Sequence, residues 1–283
     1  MKNSKSLLLD LIDRIGLNES GAEKRSIAVH LLESICGLTS AEAMTAQAVS
    51  PADELKLNEA VARINRFEPL QYILNEAWFF GRKFFVDPAV LIPRPETEEL
   101  VAMILERVDR AHQSQRVVDV ATGSGCIAIT LALELRRSET WGTDVSDAAL
   151  RIARQNATSM GSRTQMISHN VLGDSLPMQD VAVLVSNPPY IAEIEMKSMD
   201  RNVLEHEPHL ALFVPDNNPL LFYHALASRA KEALVAGGLL AVEINARFGR
   251  EVASTMADAG LQRVELLRDL AGKDRFVIAR KPA

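Results

Sequence analysis

Cysteine is scarce in this sequence. The two cysteines, Cys36 and Cys126, lie far apart, and no CxxC pair occurs. Zinc ribbons and dithiol redox motifs need closely spaced cysteines, so neither is predicted. We expect two buried free thiols in a reducing compartment, which indicates a cytoplasmic protein.

Long apolar runs and an excess of basic residues are also missing. No stretch approaches the roughly 18 uninterrupted apolar residues of a membrane-spanning helix. The N-terminal leucines are interrupted by Asp10, Asp13 and Arg14, which favours an amphipathic helix over a signal sequence. The formal net charge of −6 argues against a general nucleic-acid binder. We therefore expect neither a membrane nor a nucleic acid as a direct partner.

The first stretch of the chain, residues 1–74, shows only helical periodicity. Apolar residues recur every three or four positions, Gly37 is placed to end one helix, and Pro51 is placed to open another. The apolar stripe of that later helix is predicted to consist of Leu55, Ala60, Val61 and Ile64. We predict a small helical domain that carries no chemistry of its own.

The second stretch, residues 75–94, is rich in aromatic and β-branched residues, with Gly81-Arg82 as a turn signal. This composition predicts a β-hairpin linker. The aromatic side chains of the stretch are expected to hold the flanking domains together; they are Trp78, Phe79, Phe80, Phe84 and Phe85.

Strand and helix patterns alternate from residue 95 to residue 283. The alternation predicts an α/β fold, a mostly parallel sheet with helices on both faces. Strands are predicted near 116–120, 140–143, 164–168, 181–186, 238–244, 262–268 and 274–280. The last two leave no room for a helix between them, so they should pair antiparallel at the sheet edge. A long loop is predicted for residues 187–218.

A turn of small residues follows the first of these strands. Gly123 and Gly125 in this turn allow positive φ and a close approach of a ligand to the backbone. Asp144 ends the next strand, where an acid can accept both ribose hydroxyls of a nucleoside. This order of elements favours a nucleoside cofactor. The alternatives are a tight turn without a ligand and a dinucleotide fold, whose glycine fingerprint is incomplete because Ala128 takes the third position.

The strand at 181–186 leads into Asn187-Pro188-Pro189-Tyr190. Ligands of open α/β sheets lie at the carboxyl ends of the strands, so this tetrapeptide should face the same crevice as the glycine turn. Oxygens of Asn187 and Pro188 can accept the hydrogens of a planar NH₂ group, and Tyr190 can stack on its plane. Such acceptors favour methylation of an amide nitrogen, because positive charge develops there. The alternative is that the tetrapeptide is only a rigid turn.

The chain resembles a known enzyme family along nearly its whole length. Acids before and after the glycines, Asp119 and Asp144, resemble the pattern of S-adenosylmethionine methyltransferases. The complete sequence is similar to the protein-(glutamine-N5) methyltransferases that act on peptide chain release factors. The similar segments are 68–74, 80–87, 91–98, 119–125, 186–191, 206–212 and 269–275. The combination of PRPETE at 93–98 with NPPY at 187–190 is highly specific for this family.

The resemblance implies a fold and a reaction. The fold is a helical N-terminal domain for substrate recognition, a hairpin linker, and a seven-stranded, Rossmann-like class I methyltransferase domain. The reaction is transfer of a methyl group from S-adenosyl-L-methionine to N5 of the glutamine in the Gly-Gly-Gln motif of release factors, which tunes translation termination. A cytoplasmic monomer is expected.

The resemblance also implies roles for individual residues. The methionine part of the cofactor would be bound by Ala121, Thr122, Gly123, Ser124 and Gly125. Asp144 would bind the ribose, and Asn170 and Val171 would flank the adenine. The substrate glutamine would be held by Asn187, Pro188, Pro189 and Tyr190. Of these, Asn187, Pro188 and Tyr190 would be catalytic, and Asn187 would also contact the cofactor.

This chain departs from the family pattern in three places. Ala121 stands where the family usually has glycine, and Asn170 stands where an acid is common. The segment 213–218 lacks a glycine pair that the family often has.

Other functions stay open on the sequence alone. A glutamine methyltransferase that acts on a ribosomal protein and a DNA adenine-N6 methyltransferase both modify a planar NH₂ group, and a third alternative is a module that binds cofactor without turnover. The negative net charge argues against DNA. His206 and His209 are three residues apart, but Pro208 lies between them and a third ligand is missing, so no metal is predicted.

Three further residues have two alternative interpretations each. Glu243, at a strand end, is predicted to accept a hydrogen bond, either in support of the site or as a purely structural partner. Arg94 and Glu96 are predicted to lie either at a domain interface or next to the cofactor.

Overall fold

The computed structural model describes residues 3–108 and 115–283. The chain divides into two compact units. The first consists of the residues up to Glu76 together with Asp200–His206, and the second consists of Ala77–Met199 and Glu207–Ala283. The segment 75–94, from Ala77 onward, therefore lies within the second unit.

The first four helices of the first unit begin at side-chain caps. Ser20 and Thr39 each form a reciprocal capping box with the glutamate three residues later, and Ser50 caps the helix that Pro51 opens. These caps satisfy backbone N–H groups that a helix leaves unpaired at its start. The helices are α1 (Ser4–Arg14), α2 (Gly21–Cys36), α3 (Ser40–Ala43), α4 (Pro51–Ile64) and α5 (Leu70–Leu74).

The apolar face of α4 differs from the predicted stripe. Leu55 is 70% exposed, whereas Leu57 is 1% exposed and packs in the core of the first unit. Leu57 stands three, four and seven residues before Ala60, Val61 and Ile64, the spacing that shares one helix face, and Leu55 does not fit that spacing. The prediction of Leu55 as a core residue is wrong for this reason.

We expect Leu57→Ala to lower the free energy of unfolding by about 2–5 kcal/mol, because it removes a fully buried side chain and leaves a cavity. Leu55→Ala is the matched control and should change it by less than about 0.5 kcal/mol, because the side chain is exposed. Urea denaturation followed by circular dichroism measures both values. Equal losses in the two variants would contradict this assignment of the α4 face.

The second unit begins with a β-hairpin. Strand β1 (Ala77–Phe79) pairs antiparallel with β2 (Arg82–Phe84). Phe79 and Phe84 meet edge to face with their ring centroids 6.0 Å apart, and both are buried in the core of the second unit. The prediction that aromatic side chains of this stretch hold two domains together is wrong for this pair, because its rings complete the core of their own unit.

The second unit consists of a twisted sheet between helices. Its further strands are β3 (Arg116–Val120), β4 (Glu139–Asp144), β5 (Gln165–Ser168), β6 (Val181–Ser186), β7 (Ile191–Ala192), β8 (Phe213–Val214), β9 (Leu234–Glu243), β10 (Gln262–Arg268) and β11 (Asp274–Arg280). The later helices of the chain are α6 (Pro95–Arg107), α7 (Cys126–Glu134), α8 (Asp147–Ser159), α9 (Arg201–His206), α10 (Leu221–Ala233) and α11 (Gly249–Asp258). Of these, α9 belongs to the first unit.

Within the described residues the main sheet has seven strands in the order β10-β11-β9-β6-β3-β4-β5. The strands from β9 to β5 pair in parallel, and β11 pairs antiparallel with both β9 and β10. The predicted mostly parallel sheet and its antiparallel edge hairpin are confirmed. A parallel sheet needs cover on both faces, which the helices provide.

Successive residues of the central strands belong to different core layers. Val117 of β3 packs with α6, α7 and α8 on one face, whereas Val118 packs with α10 and α11 on the other. The side chains of a strand alternate between faces, so a central strand must be apolar at most positions to fill both layers, and the buried Asp119 of β3 is an exception that accepts hydrogen bonds. The mostly apolar sequences of β3 and β6 follow from that requirement.

Residues 187–218, predicted as a long loop, contain short regular elements. Strands β7 and β8 pair in parallel, and 3₁₀ turns span Glu193–Ser198 and His209–Ala211. Each of these pieces, like α9, has at most six residues. Elements of this length leave no periodic signal in a sequence, so the prediction of a plain loop is wrong.

The two cysteines are free, but only Cys126 is buried. Cys36, at the end of α2, is partly exposed, which corrects the expectation of two buried thiols. Across residues 3–108 and 115–283 no helix combines the length and the apolarity needed to cross a bilayer.

Candidate functional site

A cleft lies at the carboxyl ends of the parallel strands. Its empty volume is about 1030 Å³, including the open mouth, and its wall includes Val120 at the end of β3 and Asp144 at the end of β4. Many of the predicted site residues lie in this wall, namely Ala121, Thr122, Gly123, Ser124, Asp144, Asn170, Val171, Asn187 and Pro189. The glycine turn and the NPPY segment thus face one cavity. Gly125, Pro188 and Tyr190 are not in its lining.

The turn between β3 and α7 has positive φ at alternate residues. Ala121, Gly123 and Gly125 have φ values of 58°, 53° and 81°. A Cβ atom at Gly123 would meet nothing within 4 Å, which leaves its backbone open toward the cleft. A Cβ atom at Gly125 would come within 2.9 Å of Ile129 Cδ1. Gly125 is therefore needed for packing of the turn on α7, and Ala121 adopts a conformation that favours the glycine of the family pattern.

Hydrogen bonds to the buried side chain of Asp119 hold this turn in place. Its Oδ2 accepts hydrogen bonds from Thr122 Oγ1 at 2.6 Å and from the Ala128 N–H at 3.2 Å. The carboxyl group thus connects the strand, the turn and an N–H of the first turn of α7. Asp119 is fully buried, and this burial raises its pKa to about 7. It is not part of the cleft lining.

Asp144 is the acid that faces the cleft. Its Oδ2 accepts from the Gly123 N–H and its Oδ1 from the Ser146 N–H, both at 2.9 Å. Burial raises the pKa of this carboxyl group. Each oxygen has a further lone pair, and the neighbouring Val145 side chain is 54% exposed. An acid beside an exposed apolar side chain suits a nucleoside.

Two further residues of the cleft wall, Ser124 and Asn170, indicate which ligand groups the cleft can bind. Ser124 Oγ is buried and has no hydrogen-bond partner among the described residues. Such an atom is costly without a partner, and a polar ligand group would satisfy it. Asn170 Oδ1 accepts from the Leu172 N–H at 3.1 Å, which leaves the side-chain NH₂ of Asn170 as a donor at the wall. The donor set and the apolar wall fit S-adenosylmethionine.

Asn187 and Tyr190 differ in what they contact. Asn187 lies in the cleft wall and donates from Nδ2 to Thr97 Oγ1 at 3.1 Å. Tyr190 donates from its hydroxyl to Glu243 Oε1 at 3.0 Å, and its ring packs partly buried against the core. Burial raises the pKa of the Tyr190 hydroxyl far above its usual value, so it stays protonated. Whether Tyr190 stacks on a substrate amide stays a prediction.

Sequence reasoning missed Thr97 and left Glu243 open. Thr97 is buried near the start of α6, inside the PRPETE segment, and its hydroxyl donates to Glu243 Oε2 at 2.7 Å. Arg94 lines the cleft and forms an ion pair with the buried Glu207, whereas Glu96 is not in the lining. Thr97 and Glu243 are far apart in sequence, so no motif spacing could have predicted the contact between them.

No group of three or more His, Cys, Asp or Glu side chains is placed to hold a metal ion in the described part of the chain.

Comparison with known proteins identifies the class first. The sequence model of the Methyltransferase small domain family matches residues 97–210. The structure is similar to a methyltransferase from Pyrococcus furiosus with a TM-score of 0.53, over 80% of this chain and 100% of that one, at 15% sequence identity. That likeness shows the fold. The matched family model indicates a methyltransferase of the Rossmann-like class.

Sequence relatives then give the family. The chain is 39% identical to the release factor glutamine methyltransferase of Bacteroides thetaiotaomicron, over 82% of this chain and 83% of that protein. It is 40% identical to the one of Flavobacterium psychrophilum, over 79% of each chain. The chain belongs to the release factor glutamine methyltransferase family.

The burial of Asp119 gives a pH dependence. The folded protein retains the Asp119 proton up to about pH 7, whereas the unfolded chain loses it near pH 4. Between these values the folded state binds more protons, so stability should fall as pH rises, by on the order of 1 kcal/mol per pH unit from this group. Asp119→Asn, which does not titrate, should have a flatter profile in urea denaturation between about pH 5 and 7.

The comparison uses the difference between the two profiles, because Asp144 and Glu243 also have raised pKa values and titrate in both proteins. Parallel profiles would show that Asp119 is already ionised at the lower pH.

Proposed function

We propose that this chain transfers a methyl group from S-adenosyl-L-methionine to N5 of the glutamine in the Gly-Gly-Gln motif of peptide chain release factors. The observation that carries the proposal is the placement of Asn187 in the same cleft wall as Gly123 and Asp144. One cavity thus combines a cofactor cradle with an acceptor for a carboxamide. The relatives named above carry the same activity in their names.

The cofactor would be held by groups that have hydrogen-bonding capacity to spare. Asp144 would accept the ribose hydroxyls with its remaining lone pairs, and Ser124 Oγ and the backbone at Gly123 would contact the methionine part. Val145 and Val171 give apolar contacts for the adenine, with the NH₂ of Asn170 as a donor beside them. Each of these residues belongs to the wall of the cleft.

The substrate amide would be held by the NPPY segment. Asn187 Oδ1 and the Pro188 carbonyl would accept its two hydrogens and so favour a tetrahedral nitrogen as positive charge develops. The bound cofactor would supply an electrophilic methyl group on sulfur, with S-adenosylhomocysteine as the second product. Asn187 and Pro188 would hold the amide nitrogen that accepts this methyl group and then releases one proton to water. No strong base is required, because an alkylated amide nitrogen is acidic.

We assign recognition of the rest of the release factor to the N-terminal helical unit, which provides no cleft residue. The enzyme would act as a monomer on a protein substrate without contacting nucleic acid, in line with its net charge of −6. The intact enzyme should therefore have a higher kcat/KM for a full-length factor than for a short peptide that contains the motif.

The test is mass spectrometry of a release factor after incubation with this protein and S-adenosylmethionine. One added methyl group on the motif glutamine is expected. Asn187→Ala should lower kcat at least about a hundredfold, because it removes an acceptor that faces the developing charge. The exposed Asn217→Ala is the control and should keep full activity. Methylation of a ribosomal protein or of DNA instead of the factor would overturn the proposal.

The ribose assignment has its own test. Asp144→Asn should weaken cofactor binding about tenfold to a hundredfold, because it replaces a charged acceptor of hydrogen bonds with a neutral one. Asp147→Asn makes the same change in charge at an exposed position nearby and should leave the affinity unchanged. Isothermal calorimetry measures both. An unchanged affinity for Asp144→Asn would place the ribose elsewhere.

A further inference from the structure

A buried carboxylate lies behind the cleft wall. Glu243, the last residue of β9, is 1% exposed and does not line the cleft. It accepts hydrogen bonds from two hydroxyl groups, Thr97 Oγ1 on its Oε2 and the Tyr190 hydroxyl on its Oε1, at 2.7 and 3.0 Å. Burial raises the pKa of Glu243, while these donors and the charge of Arg275 oppose that rise. Each carboxyl oxygen of Glu243 thus accepts a hydrogen bond from a different hydroxyl group.

The carboxylate determines the direction of a chain of hydrogen bonds. Both oxygens of Glu243 accept, Oε1 from Tyr190 and Oε2 from Thr97, so the single proton of the Thr97 hydroxyl points to Glu243. The Thr97 oxygen is then an acceptor for its other neighbour, Asn187 Nδ2, at 3.1 Å. The hydrogen bond to Thr97 therefore fixes the orientation of the Asn187 side-chain amide. Its NH₂ group faces Thr97, and its oxygen faces away from Thr97.

The oxygen of Asn187 is left available by this arrangement. None of the described residues donates a hydrogen bond to Asn187 Oδ1, and Asn187 lies in the wall of the cleft. An oxygen at this position accepts from a carboxamide NH₂. It repels a carboxylate of the same shape, which offers only oxygens.

We propose that Glu243, acting through Thr97, makes Asn187 present its oxygen to the substrate and thereby makes the site select glutamine over glutamate. This inference rests on the proposed function, since it concerns the same side chain of the substrate. Glu243 is a positioning residue, because it lies outside the lining of the cleft.

Isosteric variants separate this role from a structural one. Glu243→Gln keeps the shape but adds a donor, so the Thr97 hydroxyl is free to reverse and the Asn187 amide is free to turn its NH₂ to the cleft. Thr97→Val removes the hydroxyl and leaves Asn187 without its partner. Thr97→Ser retains the hydroxyl and is the matched control.

The experiment measures selectivity rather than activity alone. The full-length enzyme is titrated, in the presence of S-adenosylhomocysteine, with an intact release factor and with the same factor carrying Gln→Glu in its motif. Calorimetry gives both dissociation constants at about pH 8, well above the usual carboxyl pKa. The wild-type enzyme should bind the glutamine form at least about tenfold more tightly.

The ratio of the two dissociation constants, for the glutamate form over the glutamine form, should stay near the wild-type value in Thr97→Ser. It should fall to within about threefold of unity in Thr97→Val and Glu243→Gln. In these two variants kcat should fall more than KM rises, and cofactor affinity should persist. A wild-type ratio retained in folded Thr97→Val and Glu243→Gln would overturn the inference. If Glu243→Gln fails to fold, the comparison of Thr97→Val with Thr97→Ser tests the inference.

The outcome is distinct from that of the proposed function. A wild-type enzyme that methylates the factor but binds both forms equally overturns only the inference. A wild-type enzyme that methylates no release factor overturns the proposed function itself.

Discussion

The parallel register of the central strands is the constraint on which the site depends. Val120 at the end of β3 pairs with Thr143 on one side and Ser186 on the other. Parallel strands end at the same edge, so the three segments that follow β3, β4 and β6 leave the sheet together. The glycine turn, Asp144 and Asn187 therefore meet in one cleft, although they lie far apart in sequence. A shift of register by one residue would turn each strand's apolar side chains to the wrong layer.

Buried acids beneath the wall maintain the geometry of the groups that face the cleft. Asp119 connects the end of β3 to the first turn of α7, and Glu243 holds Thr97 and Tyr190. Burial of a carboxyl group is unfavourable unless its oxygens find donors. Both oxygens of Glu243 and Oδ2 of Asp119 accept hydrogen bonds, whereas Asp119 Oδ1 has no partner among the described residues. The site thus separates exposed groups for binding from buried groups that orient them.

Much of the fold was predictable because long elements leave periodic patterns. Strand β3 and both strands of the edge hairpin were predicted with the bounds that the structure has. The face of α4 was assigned wrongly because Leu55 and Leu57 are both apolar, and only packing distinguishes them. The elements between 187 and 218 were missed because they are too short to show a period. The lining of the cleft holds most of the predicted site residues, whereas Gly125 serves packing and Tyr190 reaches inward to Glu243.

The sequence by itself determined the class of fold, the order of strand and helix, and the two motifs that carry the chemistry. These are local properties, because periodicity, turn residues and motif spacing are encoded over a few neighbouring positions. Only the tertiary structure decided that Thr97 and Glu243 stand behind Asn187, and that Asp119 lies under the turn rather than in the cleft. Such contacts join residues that are distant along the chain. They depend on which strands pair and which layers pack, and no local pattern records that choice.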